Sequence, residues 1–130
     1  MKYNFMEQVV RFYDEELGWC NTILDFPNGF GLVIAASSYN FSSPKLNLEN
    51  LEDYTAFEVS IVVRDDVGIY TTLSLDDCYG RISNDRLKAI VEDYSGIREL
   101  TYVPAAVVQE IADIVEEGNF LNDYEFMDKN

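Results

Sequence analysis

Residues Asp25 to Leu32 read DFPNGFGL, and the Pro27-Asn28-Gly29 core of that stretch sits between two apolar runs. Thr22, Leu24 and Phe26 alternate with Ile23 and Asp25 before it, and Phe30 to Ala35 run apolar after it. Period-two alternation entering a Pro-Asn-Gly turn predicts a β-hairpin, with glycine absorbing a positive φ that other residues resist. A phosphate-binding loop would need a following helix and usually a lysine, and this stretch has neither. The turn therefore reads as architecture, and it commits the domain to an antiparallel sheet.

Working outward, Phe57, Val59, Ile61 and Val63 alternate with Glu58, Ser60 and Arg64, which predicts a second strong strand. Asp65 to Gly68 then turn the chain into a partner strand over 69–75, where Thr71, Leu73 and Leu75 share a face. Between the hairpins, Ser37 to Asp53 is polar, contains Pro44 and holds no sustained period, so it reads as a long connection with at most a short helical turn at 48–51.

Three helices complete the expectation. Asn4 followed by Glu7 forms a capping box, and Phe5, Met6, Val9, Val10, Tyr13 and Leu17 recur at helical spacing up to Gly18. Ser83 is placed to cap a helix lined by Leu87, Ile90, Val91 and Tyr94 and closed by Gly96. Pro104 opens a third, with Val107, Val108, Ile111, Ile114 and Val115 inward and Gly118 at its end. The predicted fold is α+β: about four antiparallel strands in two hairpins, packed against an N-terminal helix and two C-terminal helices. Residues 1–118 form one domain and 119–130 an acidic, aromatic tail.

The chain has 130 residues, of which 48% are hydrophobic and 14% aromatic, enough for a core without metal or disulfide support. Lys and Arg number 9 against 24 Asp and Glu, a net charge of −15. Direct nucleic-acid binding needs Lys and Arg clusters, so that class is excluded, and a positively charged protein partner is implied. The absence of histidine removes the usual general base and the commonest metal ligand. Cys20 and Cys78 match no metal or redox spacing and read as two unpaired thiols. No apolar run approaches 18 residues and the N-terminus is acidic and amphipathic, so the expectation is a soluble, cytoplasmic protein with no membrane contact, monomeric or a homodimer.

Paired carboxylates occur at Glu15-Glu16, Asp65-Asp66, Asp76-Asp77 and Glu116-Glu117. Adjacent residues point to different faces, so each pair reads as solvated acids, with Asp76 and Asp77 the one remaining place for an oxygen-ligand metal site. No catalytic residue, resident metal or cofactor is assigned, and the protein is expected not to be an enzyme. The collective pattern says more. Asp14, Glu15 and Glu16 fall in the predicted last turn of the first helix, and Asp113, Glu116 and Glu117 in that of the third. There the negative end of the helix dipole opposes each by about 0.3–1 kcal/mol. From Glu99 onward eight acids face one lysine. Acids three and four residues apart on a helix lie about 5–6 Å apart, comparable to crowded backbone phosphates. Glu110, Asp113, Glu116, Glu117, Asp123 and Glu125 are therefore the candidate acidic strip, extended by Asp14, Glu15 and Glu16. Phe120, Tyr124 and Phe126 are its candidate aromatic anchors, or else docked core. The expected partner is a basic nucleic-acid-binding protein.

The segments EELGWCNTILDFPNGFGLVI, FEVSIVV and SLDDCYGRISNDRLKAIV resemble a family of small uncharacterised proteins of phages, plasmids and integrated elements. The resemblance is carried by Glu16-Leu17-Gly18, Phe26 to Gly31, Phe57-Glu58-Val59 and Asp76-Asp77 with Gly80, and it spans roughly residues 5–91. It departs at the longer connection over 37–53 and at the helix and tail after Ile97. It implies a mobile-element origin, where small acidic proteins often inhibit host defence by an anti-CRISPR or anti-restriction route. The alternative is an interaction module, toxin-neutralising or a phage accessory or assembly protein, without nucleic-acid mimicry.

Overall fold

The structure is a computed structural model that describes residues 12–14, 19–38, 40–46, 48, 53–75, 79–96 and 99–122. The elements are β1 (Phe12–Asp14), β2 (Trp19–Asp25), β3 (Phe30–Ser37), β4 (Ala56–Arg64), β5 (Tyr70–Thr72), α1 (Asp85–Tyr94), β6 (Leu100–Pro104) and α2 (Ala105–Glu117). All strand pairs are antiparallel, in the order β1-β2-β3-β4, and β4 carries both β5 and β6 on its far edge. β5 runs along Val62–Arg64 and β6 along Ala56–Val59, so the two share one edge of the central strand. The α+β fold expected from the sequence is the one the chain forms.

The hairpin on Pro27-Asn28-Gly29 pairs Asp25 with Gly31 and Leu24 with Leu32, and Gly29 takes φ 89° as the turn demands. Thr22, Leu24 and Phe26 are buried while Ile23 and Asp25 are exposed, the expected alternation of a half-buried strand. One core collects Phe26, Leu32, Ile34, Phe57, Val59 and Ile61 from the sheet region. Leu87, Ile90 and Val91 of α1 join it, as do Val108, Ile111, Ala112 and Val115 of α2. α2 touches β3, β4 and β6, and α1 touches β6 and α2. Among the described residues no helix is long and apolar enough to span a membrane.

Several local expectations are corrected. The first helix does not run unbroken to Leu17, because Phe12, Tyr13 and Asp14 pair with Asn21, Cys20 and Trp19 as β1. Three residues with two aromatics gain a ladder by joining the edge of β2, and that tertiary pairing overrides the helical spacing. Asp14 accordingly sits in a strand and opposes no helix dipole. The rest of that helix, with Glu15 and Glu16, lies outside the described residues.

β5 stops at Thr72, although Leu73 and Leu75 are buried as expected, and Thr71 is exposed rather than sharing their side. α1 is capped by Asn84, whose Oδ1 accepts from the Leu87 amide at 2.9 Å, not by Ser83, whose hydroxyl donates to the Asn119 carbonyl. Its C-terminal cap is Ser95 in extended backbone, so Gly96 plays no capping part. The strand β6 is an addition to the four expected, and LTYVP carries no strand signal because it is short and does not alternate. It carries a bulge: Phe57 faces Val103 and Val59 faces Leu100, so Thr101 and Tyr102 oppose Glu58 alone.

The connection after β3 is stitched down rather than free-running where it is described. Ser42 Oγ donates to the Ser37 carbonyl and accepts from its amide, and Ser43 bridges to Ala56. The Tyr54 hydroxyl donates to the Leu46 carbonyl at 2.6 Å and accepts from the Leu48 amide at 2.8 Å. The suggested turn at 48–51 lies outside the described residues beyond Leu48. Past Gly118, Phe120 is fully buried and packs edge-on against Phe30, ring centroids 4.8 Å apart at 64°. Leu121 bridges to Ile82. The chain therefore continues into the core beyond the end of α2, and Phe120 is docked core rather than an interface anchor.

Candidate protein interface

α2 reads AAVVQEIADIVEE and buries Val108, Ile111, Ala112 and Val115, an i, i+3, i+4, i+7 stripe. Its four acids, Glu110, Asp113, Glu116 and Glu117, occupy the remaining arc, and the helix has no lysine or arginine. The core stripe thus forces the acids outward, with Glu117 exposed and the other three partly so. Asp113 and Glu116 stand three residues apart and Asp113 and Glu117 four, so their carboxylates are neighbours on one surface.

The charges are not equivalent. Glu110 is clasped by Arg86 of α1, with Nε and Nη2 each 2.8 Å from one carboxylate oxygen. That fork holds the Glu110 carboxyl below its ordinary value of 4.5 and raises the guanidinium above its own. Glu110 is therefore already matched within the molecule. Asp113 accepts from Gln109 Nε2 at 3.1 Å, one turn earlier on the same helix. Glu116 and Glu117 close the helix at the end where a cation would be the usual complement.

What satisfies that end is the turn that decides the fold. Asn28 Nδ2 donates to the Val115 carbonyl at 2.8 Å and to the Glu116 carbonyl at 3.1 Å, while its Oδ1 accepts from the Phe30 amide at 3.0 Å. Gly118, at φ 81°, adds its own amide to the Ile114 and Val115 carbonyls. An uncharged side-chain amide from the first hairpin thus replaces the lysine expected at a helix C-terminus, and the carboxylates beside it stay uncompensated by this cap. The sequence marked Asn28 as a turn residue; nothing in a local pattern marks a partner 87 residues away.

The same turn fastens the β4–β5 hairpin. Arg64 donates its amide to the Gly29 carbonyl at 2.8 Å and its guanidinium to Asp25. Tyr70 lies against that pair, its phenol pushed up by burial and then by the Asp25 carboxylate. At the tip, Asp65 Oδ1 accepts from the Val67 amide at 3.0 Å and the Ile69 amide at 2.8 Å. Asp65 is therefore turn scaffold, its carboxylate engaged by two backbone amides rather than simply solvated. Val67 and Ile69 remain 78% and 61% exposed, and no alternation or period announced them as surface.

Phe41 and Tyr102 are a second exposed apolar pair, centroids 6.0 Å apart, with Lys45 Nζ 5.1 Å above the Phe41 ring. Tyr102 sits at φ 52° in the β6 bulge, which turns its ring out of the core, and its amide donates to the Phe41 carbonyl. Asp123, Tyr124, Glu125 and Phe126, together with Asp76, Asp77 and Cys78, lie outside the described residues. Comparison with protein-family models, with curated proteins and with solved structures finds no match to this chain.

Proposed function

We propose that this protein is a non-enzymatic inhibitor that binds a basic, nucleic-acid-contacting surface of another protein through the solvent face of α2. Asp113, Glu116 and Glu117 form the contact, continued by Asp123, Tyr124, Glu125 and Phe126 of the tail. The observation that carries this reading is the composition of α2: four acids and no base, all off the core stripe, with two of the acids at an end capped by a neutral amide. A helix shaped by folding alone gains stability from a cation there, so a row of carboxylates points to selection for an external partner. With 24 acids against 9 bases, the long-range field steers the same class of partner. The target class is a nuclease, helicase or CRISPR effector, and the biological setting is counter-defence by a mobile element through mimicry of nucleic acid.

The test is capture of partners from a nuclease-treated bacterial lysate at low salt, elution at high salt, and assay of the eluted protein for nucleic-acid binding with and without this chain. A salt-eluted protein whose DNA or RNA binding is blocked supports the reading. A partner with no nucleic-acid function replaces it with the interaction-module alternative.

A further inference from the structure

One end of the molecule gathers three segments far apart in sequence. Asn28 grips the last carbonyls of α2, and the carbonyl of the next residue, Gly29, takes the Arg64 amide at the root of the β4–β5 hairpin. Glu116 and Glu117, the Pro-Asn-Gly turn, and the tip over 65–69 therefore lie at one pole. Val67 and Ile69 are the two most exposed of the large hydrophobic side chains among the described residues. We infer that these two side chains are the apolar anchor of the contact proposed above, seated in an apolar socket rimmed by lysine or arginine on the partner protein; this rests on that reading of α2.

Three observations carry the inference. First, the tip is closed by its own hydrogen bonds: besides the two amides on Asp65 Oδ1, the Asp65 amide donates to the Ile69 carbonyl and the Gly68 amide to the Asp65 carbonyl. A preorganised tip loses little conformational freedom on binding, which is what an anchor requires. Second, the tip stands clear of the body. Gly68 holds φ 87° and a Cβ there would meet nothing within 4 Å, so a partner can surround it. Third, the surrounding charge chooses the occupant. Within residues 25–31, 64–70 and 115–118, Asp25, Asp65, Asp66, Glu116 and Glu117 stand against one base, Arg64, which is itself paired with Asp25. A second copy would bring like charges together, and an anionic lipid surface would be repelled. A basic protein surface has the complementary sign. An apolar centre that excludes water, with charge at the rim to steer approach, is the usual division of labour at an interface.

The experiment uses the full chain with the photo-crosslinker benzoylphenylalanine in place of Val67, of Glu117, or of Leu46, a control position that is also exposed. Each is irradiated in nuclease-treated bacterial lysate at low salt, and adducts are identified by mass. The expected result is one basic protein crosslinked from positions 67 and 117 and not from 46. With that protein purified, Val67→Ser combined with Ile69→Ser should weaken binding about thirtyfold and leave thermal stability near that of the parent, because both side chains are exposed. An adduct from 117 without one from 67, or unchanged affinity of the double variant, overturns the anchor and leaves the α2 reading standing. A self-adduct at 67, or one to a protein that is not basic, also overturns it. Equal labelling from all three positions does the same, and no adduct from 67 or 117 removes both proposals.

Discussion

At the scale of single residues, Asn28 does more than its place in a turn requires. It closes the first hairpin with one face of its amide and the last helix with the other. Asn28→Ala removes the side-chain donor from the Val115 and Glu116 carbonyls, leaving Val115 the Gly118 amide alone, and takes the Oδ1 acceptor from the Phe30 amide; it should cost about 1–3 kcal/mol in urea unfolding. Asn28→Asp should cost more at neutral pH, since a carboxylate then faces two carbonyls, and part of the loss should return as the aspartate protonates in acid. At Gly29, φ 89° makes any β-branched replacement strained, so Gly29→Val should destabilise by about 1–3 kcal/mol while the surviving folded protein keeps its partner binding. Loss of binding by a normally stable Gly29→Val protein would make the turn a site in its own right. Gly31 carries a different constraint: a Cβ there would sit 2.6 Å from the Leu24 carbonyl, so Gly31→Ala must move backbone.

At the scale of elements, the α1–α2 contact is pinned on its surface by the Arg86–Glu110 fork. The folded Glu110 pKa lies below the unfolded one, so its stabilisation is fully present above the ordinary carboxylate value of 4.5 and is lost as pH falls through the lowered folded value. Both groups are largely exposed, so solvent screening keeps the effect small. Glu110→Gln should flatten the acid limb of the stability–pH curve slightly and leave neutral-pH stability nearly unchanged. Phe120 works on the buried side, and Phe120→Ala should cost about 3–5 kcal/mol by emptying the space against Phe30. The strand entering DFPNGFGL and the strand FEVSIVVR were legible because half-burial writes a period of two into the sequence, the strand leaving the turn because it is an unbroken apolar run after a turn signal, and α2 because its stripe repeats at i, i+3, i+4 and i+7. β1 and β6 were not, since three to five residues at an edge are held by backbone pairing and write no period. The acids of α2 were legible as a row, but the Arg86 clasp that sets Glu110 apart, and the exposure of Val67 and Ile69, depend on which distant segments meet.

At the scale of the whole molecule, a net charge of −15 in 130 residues is a force on the fold itself. Added salt should first stabilise the free protein by screening self-repulsion over about 8–10 Å. A gain of about 1 kcal/mol corresponds to a Tm increase of roughly 3–6 °C for a chain of this size. The same salt should weaken partner binding, so stability and affinity are expected to move in opposite directions across one titration. Within the acidic face the residues should rank by their internal partners. Glu116→Gln with Glu117→Gln should lower affinity roughly tenfold at low salt, while Glu110→Gln should change it little because Arg86 already holds that carboxylate.

The cap supplied by Asn28 also sets an order of events. Synthesis delivers the first hairpin long before α2, and until α2 arrives the Asn28 amide has no carbonyls of that helix to bind. The hairpin and the last helix are thus completed in one step, across a separation of 87 residues. Contacts at such separation slow folding, because loop closure must precede the interactions that reward it. In a cell the first hairpin is therefore made while the helix that covers its turn is still to come. The chain's density of negative charge is then a safeguard, keeping unfinished copies apart until the helix arrives.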